Sequence, residues 1–272
     1  DARRREPMAR RYDRNVTTFS PEGRLHQVEY AVEAINNAGT AVGILAVDGV
    51  VMAGEKQKMT KLLEAPKSSE KIYKLDDHVA TVVAGLTSDA NILINEARVE
   101  AQRYKYQYGE AVPVEQLVEK VCDQKQLYTQ YGGQRPFGVK FLFAGYDDHF
   151  GYQLYLSDPS GNYSGWKATC MGQNGNAGQS LLKNEYDDSM TTDQCLKLAL
   201  KVLHKTMESL TADNLDLFSL QKKDDGAMVH TVYPHDTVAT LLAQVKEEQE
   251  AADRAAEAKA NQSLQQKAAA TA

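Results

Sequence analysis

Apolar residues recur along this chain in two different periods, and the alternation between them sketches the fold. Leu25, Val28, Val32 and Ile35 fall at helical spacing; Ser20 and Pro21 are favoured at a helix start, and Gly39 marks the stop. Strand-like runs follow at Thr40–Val47 and Val50–Glu55, with Asp48-Gly49 between them as a two-residue hairpin signal. A second pair, Ile72–Leu75 and Val79–Ala84, turns at Asp76-Asp77. Thr87 and Ser88 are cap candidates for a helix carrying Ala90, Leu93, Ile94, Ala97, Ala101, Tyr104 and Tyr108 on one face. Pro113 opens another, with Val114, Leu117, Val118, Val121, Cys122 and Tyr128. Three strands (about 138–146, 150–157 and 163–171), a short helix near 176–187 and a longer one around 192–209 come next. A last hairpin turns at Asp225-Gly226. Hairpin strands grouped between helix pairs predict stacked antiparallel sheets with helices outside, not alternating βαβ units.

The ends break both periods. Residues 1–9 have no pattern, and Met8 suits a natural start, so they read as a disordered or artefactual extension. From about Lys246 the chain is Ala, Gln, Glu and Lys with almost no large apolar residue, which predicts a charged, solvated tail over 246–272. No linker rich in Gly, Ser or Pro divides 10–245, which reads as one domain. The 272 residues are enough to bury a sizeable core. The net charge of −6 argues against broad nucleic-acid binding, which draws its affinity from phosphate neutralisation. No apolar run is long enough to span a bilayer, and no secretion signal follows the Arg-rich start. Cys122, Cys170 and Cys195 lie far apart, and read as buried thiols in a reducing compartment.

Self-contained catalytic chemistry is not spelled out. There is no phosphate loop, no nucleophile elbow and no zinc-protease motif, and the six histidines have no ligand spacing. Gly172, Gly175 and Gly178 do not make the dinucleotide fingerprint and read as a strand-to-helix turn. No cofactor or metal is expected.

Two stretches are too particular to be generic. One runs Tyr12-Asp13-Arg14, Phe19-Ser20-Pro21-Glu22-Gly23-Arg24-Leu25 and Gln27-Val28-Glu29-Tyr30-Ala31; the other is Tyr128-Thr129-Gln130-Tyr131-Gly132-Gly133-Gln134-Arg135-Pro136-Phe137-Gly138-Val139. The chain resembles the α-type subunits of the 20S proteasome from about Arg10 to Val245. The start Met8–Asp13, with Asp158–Tyr163 and Gly165–Cys170, is most similar to the eukaryotic group at the α3 position. The resemblance implies an α+β fold of the N-terminal-nucleophile hydrolase type: a four-layer αββα sandwich, two stacked antiparallel sheets flanked by helices. It also implies work in the cytoplasm and nucleus.

Active members of that family attack the peptide bond with a chain-terminal threonine, whose proton goes to its own amine or a nearby water. Matched along the first strand, the nucleophile's place falls at Gly39, which has no hydroxyl and lies far from the chain's start. Glu55 and Lys71 fall at the places of the supporting acid and lysine. The reading is therefore a non-catalytic member of a ring. The competing reading is a self-processing hydrolase cut between Gly39 and Thr40, with Thr40 as nucleophile; that cut would discard the first helix and leave the threonine one place off.

The resemblance further implies a seven-membered ring with six other α-subunits, β-ring subunits beneath, and protein substrates admitted through a gate. Gate positions match Tyr12, Asp13, Arg14, Pro21 and Tyr30; the plainer alternatives are a tail and a first-turn proline. On a helical wheel Tyr30 lies nearly opposite the stripe of Leu25, Val28, Val32 and Ile35, so it points away from the core and towards a partner surface. Lys71, Ala38 and Leu86 match a pocket between neighbouring subunits that receives the C-terminal tails of activators such as the regulatory-particle ATPases. A lysine at a strand start is the plainer reading of Lys71.

Overall fold

The computed structural model describes residues 16–56, 62, 71–131, 134–207, 210–223 and 226–248. The elements in chain order are α1 (His26–Asn36), β1 (Ala41–Leu45), β2 (Val50–Glu55), β3 (Ile72–Asp76), β4 (Val79–Gly85), α2 (Thr87–Tyr108) and α3 (Val114–Gln130). Then come β5 (Val139–Asp147), β6 (Gly151–Ser157), β7 (Tyr163–Gly165), β8 (Ala168–Met171), α4 (Gly175–Glu185), α5 (Thr192–Thr206), β9 (Leu215–Lys222) and β10 (Met228–Val232). A further helix, α6, covers 235–248.

The strands make two five-stranded sheets, ordered β10-β9-β2-β1-β8 and β3-β4-β5-β6-β7, with every neighbouring pair antiparallel. Side-chain alternation builds the layers. Val51 and Ala53 of β2 and Leu215 and Leu217 of β9 face outward, into a core shared with Cys195, Leu196, Ala199 and Leu203 of α5. Val50, Met52, Phe218 and Leu220, on the opposite face of the same strands, meet Ala80, Val82, Leu142 and Ala144 of the second sheet. That sheet's other face, with Val79, Val83, Phe141 and Phe143, is covered by Ala90, Leu93, Leu117 and Val118 of α2 and α3. The result is the four-layer αββα sandwich. Because both faces of each sheet are buried, the central strands are apolar almost throughout, a pattern more usual in parallel sheets.

Several local expectations shift. Ser20 does not cap α1. Instead Ser20–Gly23 forms a turn, closed by the Gly23 N–H donating to the Ser20 carbonyl at 2.8 Å, with Gly23 at φ 77°. Pro21 belongs to that turn, and Leu25 stands at the helix's N-cap. Likewise Leu86, not Thr87 or Ser88, precedes α2, with no side-chain cap. The first hairpin turns on Val47 and Asp48, because the Ala46 N–H donates to the Gly49 carbonyl at 2.8 Å. Tertiary contacts decide this: Asp48 accepts from both the amide and the hydroxyl of Thr192 at 2.8 Å. Gly49 is needed for room, since a Cβ there would lie 2.7 Å from the Leu220 carbonyl oxygen.

The single strand expected over 163–171 is two strands in different sheets: β7 pairs with β6, and β8 pairs with β1. The apolar alternation slips phase at the crossing, from Tyr163 to Trp166, Ala168 and Cys170, and a nine-residue run taken as a whole hides that slip. The three cysteines are buried and free, and burial pushes their thiols up, Cys122 to about 11 and Cys170 and Cys195 to about 12. The tail begins as structure: Lys246–Glu248 continue α6, and Lys197 pairs with Glu248 at 2.8 Å. Residues 1–9 and 249–272 lie outside the described residues. Among the described residues no helix is long and apolar enough to cross a membrane, and no group of three His, Cys, Asp or Glu could hold a metal ion.

Candidate functional site

Three of the expected site residues converge where β1 leaves α1. A Cβ built on Gly39 would stand 3.4 Å from Glu55 Oε2 and 3.4 Å from Lys71 Nζ. Glu55 ends β2, beside the chain entering β1: its N–H donates to the Thr40 carbonyl at 2.8 Å, and the Thr40 N–H donates to Glu55 Oε2 at 3.0 Å. Lys71 leads into β3 and donates from Nζ to the Val83 carbonyl at 3.4 Å. An acid and a lysine thus flank a position that bears no side chain.

The floor of this site comes from a distant part of the chain. Gly172, at φ 93°, lies so close that a Cβ on it would be 2.7 Å from the Gly39 carbonyl oxygen. The Gln173 N–H donates to the Ala38 carbonyl at 2.8 Å. The Thr40 hydroxyl donates to the Gln173 carbonyl at 2.8 Å, and Thr40 is fully buried. Gly172 and Gln173 are therefore part of the site although nothing near them in sequence signals it; the G-x-x-G-x-x-G stretch showed only the turn. Gly178, of the same stretch, lets α4 approach β8, since a Cβ there would be 2.6 Å from Cys170 Sγ.

Leu86 sits at a second junction, between β4 and α2. It is half exposed; its N–H donates to the Gly138 carbonyl at 2.9 Å. Asp89, one turn along α2, accepts from Gly138 N–H at 2.9 Å and pairs with both Nη1 and Nη2 of Arg135. The Arg135 guanidinium holds the Asp89 carboxyl below the usual carboxylate range, against the opposing effect of burial. The conspicuous Tyr128–Val139 stretch is thereby fastened to the end of the second sheet.

On α1, Tyr30 is exposed, as the wheel predicts, and stacks with His26 at a centroid distance of 6.2 Å. Arg24 and Glu29 pair alongside at 2.6 Å, and Pro21 is exposed in its turn. Tyr12, Asp13 and Arg14 lie outside the described residues.

The family model for the N-terminal signature of A-type proteasome subunits matches residues 12–34, and the general proteasome subunit model matches residues 35–219. The chain belongs to the proteasome subunit family. The N-terminal signature makes it α-type, not β-type. Among its relatives is the alpha type-4 proteasome subunit of Spinacia oleracea, 59% identical over 237 residues, covering 86% of this chain and 95% of that protein. The alpha type-4-A proteasome subunit of Arabidopsis thaliana is 58% identical over 237 residues, with 86% and 95% covered. The alpha type-4 proteasome subunit of Petunia hybrida is 63% identical over 212 residues, with 77% and 85% covered. These are the paralogue group to which the Met8–Asp13, Asp158–Tyr163 and Gly165–Cys170 segments point. In this proteasome α-type subunit, Glu55 and Lys71 stand on either side of Gly39, which carries no side chain.

Proposed function

We propose that this chain is a non-catalytic member of a seven-membered α-ring. There, with six other α-subunits and a β-ring beneath, it scaffolds the 20S particle, gates substrates into it and docks activators, in the cytoplasm and nucleus. One observation carries the non-catalytic reading: the place between Glu55 Oε2 and Lys71 Nζ is that of Gly39, whose nitrogen is tied up in the peptide bond from Ala38. Acyl transfer by this family's chemistry needs a hydroxyl and a free amine or positioned water at that point. Thr40 is a poor substitute. Its hydroxyl is buried and already donates to Gln173.

The test uses assembled particles carrying Thr40→Ala in this chain, together with N-terminal sequencing of the mature protein. All peptidase activities should match wild type, and no chain should begin at Thr40. A chain starting at Thr40, with one activity lost in the variant, would establish the self-processing hydrolase instead.

The gate and activator roles rest on the resemblance at Pro21 and Tyr30 and at Lys71, Ala38 and Leu86. An outward-facing tyrosine on α1 supports a contact with a neighbouring chain. Lys71 would receive a tail carboxylate through a charge-assisted hydrogen bond.

A further inference from the structure

Where the chain crosses from β7 to β8, it leaves one sheet and joins the other, and the crossing is walled on its open side by α4. Between them lies a cleft of about 610 Å³, within the range of ligand-binding pockets. One wall is the crossing itself, Gly165–Ala168. The other is a single face of α4, which presents Asn176, Gln179, Ser180 and Lys183 at helical spacing.

The crossing is fixed, not loose. The Trp166 N–H donates to the Leu154 carbonyl at 2.8 Å, its indole Nε1 donates to Ser164 Oγ at 2.7 Å, and the Leu45 N–H donates to the Lys167 carbonyl at 2.7 Å. Tyr186, at the far end of α4, is held by its hydroxyl on the Leu45 carbonyl at 3.1 Å. A rigid indole, 37% exposed, therefore stands at the rim of a preformed cleft. Aromatic anchors of this kind dominate recognition surfaces. The lining of the cleft holds two lysines, Lys167 and Lys183, and no carboxylate. Lys167 pairs with Asp188 at 2.5 Å, while Lys183 makes no ion pair among the described residues.

We propose that this cleft docks an acidic peptide segment with one aromatic or large aliphatic side chain, supplied by a partner protein from outside the ring. The anchor packs on Trp166, the amide side chains of Asn176 and Gln179 meet the peptide backbone, and Lys183 meets a flanking carboxylate. Charge complementarity selects the occupant: a basic or neutral segment leaves the lysine unanswered. The proposal is independent of the gate and of the Lys71 pocket, since it uses no residue of either.

Trp166 is the chain's single tryptophan, so its fluorescence reports on this cleft alone. The full chain is titrated with the tryptophan-free peptide Asp-Glu-Phe-Glu-Asp, with Asp-Glu-Ala-Glu-Asp and with Lys-Lys-Phe-Lys-Lys. The first should give a saturable change below about 5 mM, and the other two should bind at least about 5-fold more weakly. Lys183→Glu should weaken the acidic peptide about 5- to 10-fold, and Lys183→Arg should restore most of it. In the assembled particle, the same peptide with a benzoylphenylalanine anchor should crosslink within 165–186 of this chain. Equal binding of acidic and basic peptides, no effect of Lys183→Glu, or absence of the crosslink because a ring neighbour fills the cleft would each overturn the proposal.

Discussion

Lys125 donates from its buried ammonium position to Ser157 Oγ at 2.9 Å and lies 4.6 Å from the centre of the Phe141 ring, with no carboxylate in ion-pair reach among the described residues. It also donates to the Val139 carbonyl, at 3.1 Å. Loss of hydration is the main cause that pulls this amine down to about 7.

A lowered lysine makes stability depend on pH. Below about pH 7 Lys125 is protonated in both the folded and unfolded chain, and above about pH 10 it is neutral in both. Between them the unfolded chain binds the extra proton, so stability rises with pH, by at most about 1.4 kcal/mol per unit. Urea unfolding of wild type and Lys125→Met at pH 7, 8 and 9 should show curves that diverge. Parallel curves would mean that the folded amine titrates normally.

The Asp89–Arg135 pair fastens the segment 134–138 to α2, and Gly138 N–H shares the same carboxylate. Asp89→Ala should cost about 2–3 kcal/mol, chiefly by leaving a buried N–H unanswered and a charge-assisted pair broken. The carboxyl is held low in the folded chain, so its contribution is present above the unfolded value of about 4 and fades as pH falls below it. Denaturant midpoints at pH 7 and pH 3.5 check both: the variant's deficit should shrink at the lower pH.

Gly172 sets the floor under Gly39. Gly172→Ala forces a Cβ to within 2.7 Å of the Gly39 carbonyl oxygen at a backbone angle, φ 93°, that alanine resists. A loss of about 2–4 kcal/mol should follow. Thermal unfolding within about 1 °C of wild type would show that the carbonyls can give way without cost.

Lys71→Ala separates a leftover of catalytic geometry from a working contact. In assembled particles it should weaken one matching activator tail peptide about 10- to 150-fold while the ring still forms. Lys71→Arg should lose less, since it keeps the charge in another shape. On the pocket reading an activator engages several sites, so the affinity of the whole changes by a different factor. Wild-type affinity of the alanine particle for the single tail peptide would leave Lys71 as scaffold only.

If the N-terminal segment is part of the gate, removal of residues 1–18 should raise peptide hydrolysis by the particle in the absence of activator. Unchanged basal activity would take this segment out of the gate.

Sequence alone determined the layered plan, because strands and helices that bury faces must repeat at periods of two and 3.6, and this chain's apolar residues do. That position 39 carries no hydroxyl is equally a covalent fact, independent of folding. The outward aspect of Tyr30 was legible for the same reason, since a helix wheel is local geometry. What the tertiary structure decided is what no local period encodes. Asp48 turns the first hairpin one residue early because Thr192 claims its carboxylate, and 163–171 divides between two sheets according to which neighbouring strand each half pairs with. Gly172 and Gln173 joined the Gly39 site, and Trp166 came to wall a cleft with Lys183, because packing brings remote backbone within a few ångströms. Contacts between segments far apart in sequence depend on how whole layers stack, and stacking is a property of the folded chain.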